Sequence, residues 1–352
     1  MFLLGLVCLV TLGPEDGYGA PVEPQISKGG TVCDDNFCLK KSRDGATWHL
    51  VYGFKGLHDQ WHEVVCDITE ADSKRLHDSF GYLDSDRKAS WLKNLEEAIN
   101  VAAGLYPNDF EYGKAHVTKE AVEWRPVEEL PPGFGRQVFE NERKKFFAWY
   151  KVKSTELIEH ANKKFLMKHK FMILPGLGEV PDYSAVVSSS SQALRSCAEA
   201  FKRETGGQAE LLQAFFQSMV YEKIHMEEGG RKTGGLSLPV RVMVEGKGDC
   251  DSKAVAFCAI RRKNDIILRS LPGQGSLQHA LVGVAAWEKD SHPKEIWPHK
   301  PVPEALKAML YGDPIRIGLR DYWPCEVAGR DRIAFGRVKD GHEGRYVAIR
   351  TQ

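Results

Sequence analysis

The residue types with the clearest chemical potential lie in one glycine-rich segment, residues 246–260, whose sequence is GKGDCDSKAVAFCAI. The glycines allow a sharp turn into the segment, and Asp249 or Asp251 can cap a helix. Because residues 254–260 are apolar, we expect a buried helix that begins near Cys250. A thiol at a helix N-terminus meets the positive end of the helix dipole, which favours the thiolate that attacks carbonyl carbon. Cys250 is therefore a candidate nucleophile, with an inert packed cysteine as the alternative.

A thiol nucleophile needs a base that a separate element brings back to it. His279 is the candidate, because it opens an apolar run, HALVGVAAW over residues 279–287, that predicts a buried strand. Residues 265–270 predict the strand before it. A single histidine at a strand end is more commonly a surface group than a catalyst, so that alternative stays open.

A carboxylate can complete such a site. Glu326, on a strand predicted over residues 321–327, can accept the second imidazole N–H and fix the tautomer.

Two motifs resemble the core of the transglutaminase-like cysteine enzymes, particularly their exported bacterial members. These are GDCDSKA at residues 248–254 and QHALVGVA at residues 278–285, and the resemblance spans approximately residues 180–340. It implies an α+β fold with a papain/transglutaminase-like core, in which the helix that bears the cysteine packs on an antiparallel sheet. It also implies a catalytic triad with Cys250 as nucleophile, His279 as base and an acidic residue on the next strand.

Within this resemblance Glu326 is the match to the acidic residue, although the family more often has Asp, or a Glu followed by Pro-Thr or Thr-Thr, and Val-Ala follows Glu326 here. Asp321 is the reserve for this role. Gln217, on a helix predicted over residues 208–220, resembles a Gln that precedes the cysteine loop in similar bacterial proteins and can donate to an oxyanion. The alternative for Gln217 is an ordinary polar side chain on the exposed side of that helix.

The family also has a short helix at residues 240–244, where the alternation of side chains alone predicts a strand. The implied activity is hydrolysis of an amide or peptide bond, or acyl transfer to an amine, without a cofactor. The implied substrate is a protein, a peptide or a cell-wall peptide. The alternative is an inactive binding or structural module that keeps the fold.

The other cysteines allow either disulfides or a metal site. Four residues separate Cys33 from Cys38, a spacing that closes a small loop in an oxidising compartment or holds metal in a reducing one. Cys66 and the histidines near it add metal ligands if they share a helix, but the alternation of residues 61–68 predicts a strand that separates them. Seven cysteines follow the first twenty residues, so at least one thiol has no partner within the chain.

Composition and charge exclude several classes of function. The 352 residues carry 48 basic and 48 acidic side chains, and this zero net charge supplies no overall field for nucleic acid or an anionic membrane. No apolar run reaches the roughly 18 residues that cross a bilayer, so we expect no membrane span. Residues 2–10 have the length of a signal-peptide core, with a buried N-terminal strand as the alternative. Residues 1–20 therefore predict a leader and a secreted or periplasmic protein.

The N-terminal elements predict a small α+β domain at residues 30–105. Alternating side chains over residues 47–54 and 61–69 predict a β-hairpin, and the sequence that begins at Thr69 resembles a capping box. Helical spacing predicts a helix over residues 90–103. Its apolar face comprises Trp91, Leu92, Leu95, Ile99 and Ala102.

The remaining elements divide into a connection at residues 106–180 and the transglutaminase-like domain at residues 181–345. Pro and Gly are frequent over residues 107–135, which favours an irregular chain there. The charged stretch at residues 137–169 predicts one long helix or two in line. The serines at residues 188–191 predict a flexible approach to the C-terminal domain.

Overall fold

The computed structural model describes most of the chain after residue 29. The described residues are 30–56, 59–105, 113–117, 122–126, 133–174, 178–262, 264–270, 279–285, 314–329, 332–338 and 345–351. They form eight helices and eighteen strands, most of which pair antiparallel, so the fold is mixed α+β. Of these helices, none combines the length and the apolar character that crossing a bilayer requires. The predicted leader lies outside the described residues.

The first sheet is a four-stranded antiparallel meander. Its strands are β1 (Gly30–Cys33), β2 (Phe37–Asp44), β3 (Thr47–Lys55) and β4 (Trp61–Thr69). The predicted hairpin is confirmed, with Thr47 of β3 opposite Thr69 of β4. Trp48, Leu50 and Tyr52 are buried on one face, because a strand presents every second side chain to the same side.

Two helices and a short strand follow the meander. They are α1 (Glu70–Asp78), β5 (Tyr82–Leu83) and α2 (Asp84–Leu105). Thr69 caps α1, since its hydroxyl accepts from the backbone N–H of Asp72 at 3.1 Å. The cap that the sequence predicts is therefore present.

Helix α2 begins earlier than the sequence predicts. Its first residue is Asp84 instead of Ser90, because Asp84 and Asp86 supply the acidic first turn that a helix N-terminus favours. Trp91 and Leu92, two residues of the predicted apolar face, are 46% and 51% exposed. That face is not buried at these two residues, and its other three side chains lie outside the described part of the chain.

The connection at residues 106–180 is more regular than its composition indicates. It contains a hairpin of β6 (Gly113–Val117) and β7 (Val122–Pro126), followed by the helix α3 (Phe134–Lys168). The expectation of an irregular chain over residues 107–135 is therefore wrong for the residues of these two strands. Trp124 of β7 is buried against Phe146 of α3, with ring centroids 4.8 Å apart, and this packing stabilises strands that Pro and Gly disfavour. The charged stretch at residues 137–169 is confirmed as one helix.

A second group of helices leads to the C-terminal part. The elements are β8 (Phe171–Leu174), β9 (Gly178–Pro181), α4 (Tyr183–Ala193), α5 (Arg195–Thr205) and α6 (Ala209–Ser218). The serines at residues 188–191 lie within α4, so the flexible approach predicted there is wrong. Ser190 and Ser191 are buried, and the Ser191 hydroxyl donates to the carbonyl of Val187 at 2.8 Å. A back-bonded serine of this kind satisfies its own polar group and is compatible with a buried helix.

The next elements surround Cys250. They are β10 (Val220–Tyr221), β11 (Glu227–Glu228), β12 (Arg231–Lys232), α7 (Pro239–Glu245), β13 (Lys247–Gly248) and α8 (Cys250–Ile260). Residues 240–244 are helical, as the family resemblance implies, with Pro239 in the first turn. The alternation of apolar and polar side chains does not predict this helix, because four of the five side chains at residues 240–244 are buried. Gly246 ends α7 with a φ of 67°, a conformation that glycine adopts without strain.

The last five strands form an antiparallel sheet. Its strands are β14 (Asp265–Ser270), β15 (His279–Ala285), β16 (Ile315–Ile317), β17 (Arg320–Cys325) and β18 (Arg345–Ile349), in the spatial order β16-β17-β15-β14-β18. The strand predicted over residues 265–270 is confirmed. β15 is described as far as Ala285, and the strand predicted over residues 321–327 ends at Cys325. α8 packs against β15, so the sheet faces the helix that bears Cys250.

One hydrophobic core joins the N-terminal meander to the helices of the C-terminal part. The ring of Phe54 in β3 contacts those of Phe201 in α5 and Phe215 in α6, at centroid distances of 6.3 and 5.3 Å. The Tyr52 hydroxyl donates to the carbonyl of Met243 in α7 at 2.8 Å. The meander therefore packs directly on the part that carries the site, and the domain boundaries proposed from the sequence stay predictions.

Four cysteines form two disulfides. Cys33–Cys38 joins β1 to β2, and Cys66–Cys197 joins β4 to α5. This pairing disfavours the metal site that the sequence left open at Cys33, Cys38 and Cys66, because a metal binds free thiolates and these sulfurs are oxidised. The free cysteines of the described residues are all buried, namely Cys250, Cys258 and Cys325.

Candidate active site

Cys250 is the first residue of α8. Asp249 is the N-cap, and its Oδ1 accepts from the backbone N–H of Ser252 at 3.0 Å. The backbone N–H groups of Cys250 and Asp251 lie in the first turn, where no intrahelical carbonyl can reach them. Beyond them, residues 254–260 are buried, which fixes the helix in the core. The sequence thus folds so that a buried helix presents one thiol and two first-turn N–H groups at the same end.

One hydrogen bond holds the Cys250 sulfur. Sγ donates to Oδ1 of Asp251 at 3.2 Å, and the Tyr183 hydroxyl donates to the other oxygen of Asp251 at 2.7 Å. The backbone N–H of Ala280 in β15 lies close enough to the thiol to lower its pKa. Because Ala280 directly follows His279, the thiol lies near the start of the histidine strand.

The resting thiol is less acidic than the sequence indicates. Burial raises the pKa of Cys250 well above the usual range, and the Asp251 carboxylate raises it further, whereas the N–H of Ala280 lowers it. A helix dipole stabilises the thiolate by about 0.3–1 kcal/mol, whereas full burial destabilises a charged group by about 4–7 kcal/mol. Desolvation therefore outweighs the dipole, and the expectation of a resting thiolate is wrong.

His279 and Glu326 form a hydrogen-bonded pair across two neighbouring strands. His279 opens β15, and Glu326 directly follows β17, whose last residue, Cys325, is opposite Val282. Nε2 of His279 lies 2.7 Å from Oε2 of Glu326. The other carboxylate oxygen accepts from the backbone N–H of Ala328 at 3.1 Å, and the Glu326 side chain is 2% exposed. A buried carboxylate needs such additional bonds, so Ala328 fixes its orientation toward the imidazole.

Asp321 lies at the other end of the same strand pair. Its neighbour Tyr322 is opposite Ala285, which lies at the far end of β15 from His279. At the usual strand rise, the backbones of His279 and Ala285 are about 20 Å apart. The Asp321 carboxylate pairs instead with Nη1 of Arg316 at 3.4 Å. The structure therefore does not bring the reserve candidate to the histidine.

Gln217 is buried in α6 and holds the segment that carries Glu326. Its Nε2 donates to the carbonyl oxygen of Glu326 at 2.7 Å and to that of Ile333 at 3.0 Å. Both donors of the amide nitrogen are thus used by backbone carbonyls, in place of the predicted contact with an oxyanion. The alternative of an exposed polar residue is also wrong, because Gln217 is 1% exposed.

Two residues near the sulfur were not singled out from the sequence. Lys253, one turn after Cys250, is fully buried, and its Nζ donates to the carbonyl oxygens of Met219 and Ala328 at 3.0 and 3.3 Å. Tyr221 is half-exposed, and its ring centroid lies 6.0 Å from that Nζ. The pKa of Tyr221 is raised, first by burial and then by the charge of Cys250 and nearby carboxylates. A charged residue directly before the apolar run of α8 was the available sequence signal for Lys253.

We found no family model, no curated protein and no solved structure that matches this chain. The chemistry of the site is therefore inferred from its geometry. A thiol lies at the start of a buried helix, and an imidazole paired with a carboxylate lies on the strands that face it. A thiol, a base and an acid are the groups that acyl transfer through a thioester requires.

Proposed function

We propose that this chain is a cysteine-dependent enzyme of the transglutaminase-like class that cleaves an amide bond, or transfers its acyl group, through Cys250. The observation that carries the proposal is the packing of α8, which begins at Cys250, against β15, which begins at His279. It supports a pairing of the thiol with His279, whose ring is held by Glu326. A cysteine helix packed on antiparallel strands also supports a papain/transglutaminase-like core.

In the proposed reaction His279 acts as the base through Nδ1, because its Nε2 donates to Glu326. Nδ1 takes the thiol proton as the sulfur of Cys250 attacks the carbonyl carbon, so that a C–S bond forms and the oxygen becomes negative. The first-turn N–H groups of Cys250 and Asp251 stabilise this oxyanion. The imidazolium then gives its proton to the amine as the C–N bond breaks, and a thioester remains.

The second nucleophile decides the product. Attack by water on the thioester releases a carboxylic acid, and attack by an amine releases a new amide; either way the sulfur recovers its proton through His279. We favour hydrolysis of a protein, a peptide or a cell-wall peptide, and this route uses no cofactor. The two disulfides support an oxidising compartment for the protein, which we propose to be secreted or periplasmic.

An inactive binding or structural module is the second candidate, and the environment of the sulfur favours it. The thiol donates to Asp251, and both burial and that carboxylate raise the pKa of Cys250. A neutral thiol held in this way is a poor nucleophile. In such a module the pair of His279 and Glu326 would contribute only to packing.

A chromogenic acyl donor separates these candidates without knowledge of the natural substrate. In an enzyme, p-nitrophenyl acetate acetylates Cys250 and releases p-nitrophenol, leaving a hydroxylamine-sensitive thioester that mass spectrometry can locate. We expect an acetyl group on Cys250 in the native protein, and a rate lower by at least about tenfold in His279→Ala. Cys250→Ser is the control for acetylation elsewhere. Equal rates in the native protein and in His279→Ala contradict the proposal and favour the module.

A further inference from the structure

Lys253 is a buried cation that the proposed reaction does not use. It lies on α8 one turn beyond Cys250, and none of its side chain reaches solvent. Burial of an ammonium costs free energy unless polar partners replace water, and an apolar side chain of similar length would fill the same space without that cost. The partners of Lys253 therefore indicate what the charge does there.

One of these partners connects Lys253 to the acid of the site. The carbonyl oxygen of Ala328 accepts from the Lys253 ammonium at 3.3 Å, and the N–H of the same residue donates to Glu326 at 3.1 Å. Glu326 in turn bonds His279. A continuous chain of hydrogen bonds thus runs from the helix of the nucleophile, through the backbone of Ala328, to the imidazole.

Within the part of the chain that the structure describes, the segment that Lys253 contacts pairs with no strand. β17 ends at Cys325, so Glu326 and the two residues after it lie beyond the ladder of backbone hydrogen bonds. Two buried side chains hold this segment: Gln217 donates to the carbonyl of Glu326, and Lys253 donates to that of Ala328. Because Gln217 comes from α6, only Lys253 of these two ties the segment to the helix of Cys250.

We propose that Lys253 is a positioning residue that fixes the pair of Glu326 and His279 relative to the Cys250 sulfur. This inference rests on the proposed function, because it gives Lys253 a role only where an imidazole must meet a thiol. A further bond, to the carbonyl of Met219 at 3.0 Å, also holds the ammonium. The ammonium acts through Glu326 and does not touch the reacting atoms.

A double-mutant cycle between Lys253 and Glu326 tests the proposal. Lys253→Met keeps the length of the side chain and removes the ammonium, and we expect Cys250 acetylation by p-nitrophenyl acetate to fall at least about tenfold. If Lys253 acts through Glu326, the double variant with Glu326→Gln is no slower than Glu326→Gln alone. If the loss of rate in the double variant equals the product of the losses in the two single variants, Lys253 has a merely structural role and the inference is overturned. Lys247→Met is the matched control, because Lys247 pairs with Glu222 on the surface.

The dependence of the acetylation rate on pH separates this inference from the proposed function. In the native protein we expect the acetylation rate to depend on pH, and we expect His279→Ala to lose that dependence. Lys253→Met should shift or remove the same dependence. If His279→Ala keeps the native profile, the proposed function fails. If His279→Ala loses the dependence while Lys253→Met keeps the native rate and profile, only the role of Lys253 fails.

A second measurement covers the case in which Lys253→Met does not fold. Nuclear magnetic resonance of lysine labelled at Nζ gives a separate signal for an ammonium that is buried and hydrogen-bonded. We expect the Lys253 signal to shift in Glu326→Gln and to stay unchanged in Asp321→Asn, which alters a carboxylate at the far end of the strand pair. An unshifted signal in Glu326→Gln would show that the two residues are not coupled and would overturn the inference.

Discussion

Nε2 of His279 lies 2.7 Å from Oε2 of Glu326, although 47 positions separate the two residues in the chain. The bond assigns the proton-donating nitrogen of the neutral ring and leaves Nδ1 for exchange of a proton with another group. Because the Glu326 carboxylate is buried and also accepts from Ala328, the imidazole is held in one orientation. The proposed chemistry therefore depends on this bond as much as on the thiol.

Glu326→Gln tests the orienting role of the carboxylate. The amide keeps the shape of the side chain but loses the charge that stabilises an imidazolium. We expect acetylation of Cys250 by p-nitrophenyl acetate to fall at least about tenfold. Asp321→Asn removes a carboxylate from the same strand pair and should leave the rate unchanged. A native rate in Glu326→Gln, or an equal loss in both variants, would contradict the assigned role.

Asp251→Asn tests the cause of the raised pKa of Cys250. The carboxylate accepts from the thiol, and its negative charge disfavours the thiolate, so its removal lowers the pKa of Cys250. We expect a larger thiolate fraction at the same alkaline pH, measured as ultraviolet absorbance relative to the matching Cys250→Ser protein. Tyr183→Phe keeps the carboxylate and should not lower the pKa. An unchanged or higher pKa in Asp251→Asn would show that Asp251 does not set it.

Cys250→Ser separates chemistry from packing. Its Sγ already donates to a polar group, the carboxylate of Asp251, that a hydroxyl can also bond. We therefore expect the melting temperature to stay within about 4 °C of the native value, while acetylation at this position is lost. Cys325→Ser is the contrast, because Cys325 is fully buried among hydrophobic residues and a hydroxyl there costs about 1–3 kcal/mol. Loss of folding in Cys250→Ser would favour the explanation of Cys250 as a packing residue.

The two disulfides should contribute unequally to stability. Cys66–Cys197 closes a sequence separation of 131 and Cys33–Cys38 one of 5. A disulfide restricts the unfolded chain more when its loop is longer. Replacement by alanine should therefore lower the free energy of unfolding by about 5 kcal/mol for Cys66–Cys197 and by about 2 kcal/mol for Cys33–Cys38. Denaturant unfolding of Cys66→Ala/Cys197→Ala and of Cys33→Ala/Cys38→Ala measures both values. A larger loss from the short loop would contradict the ranking.

Local patterns in the sequence predict the elements whose own side chains determine them. The hairpin of β3 and β4 follows from alternation, because one face is buried and the other is not. The start of α8 follows from Asp249 and the apolar run, which act within a few residues. The helix at residues 240–244 required the family resemblance, since a segment with most of its side chains buried carries no clear period.

Local sequence patterns do not predict contacts between segments that are distant in the chain. The register of β15 with β17 decides that Glu326, and not Asp321, reaches His279, and no single strand encodes that register. The burial of Lys253 depends on carbonyl groups that two other segments supply. The raised pKa of Cys250 likewise follows from tertiary desolvation, which a helix terminus considered alone does not contain.

The most direct test of the account is the rate at which iodoacetamide alkylates Cys250 in the native protein and in His279→Ala, measured by mass spectrometry across pH. Cys258 and Cys325 serve as internal references, because both are fully buried free thiols. We predict that Cys250 reacts before the other two, and that His279→Ala slows it at neutral pH at least about tenfold. Equal rates at Cys250 with and without the imidazole would contradict the claim that the thiol and His279 act together.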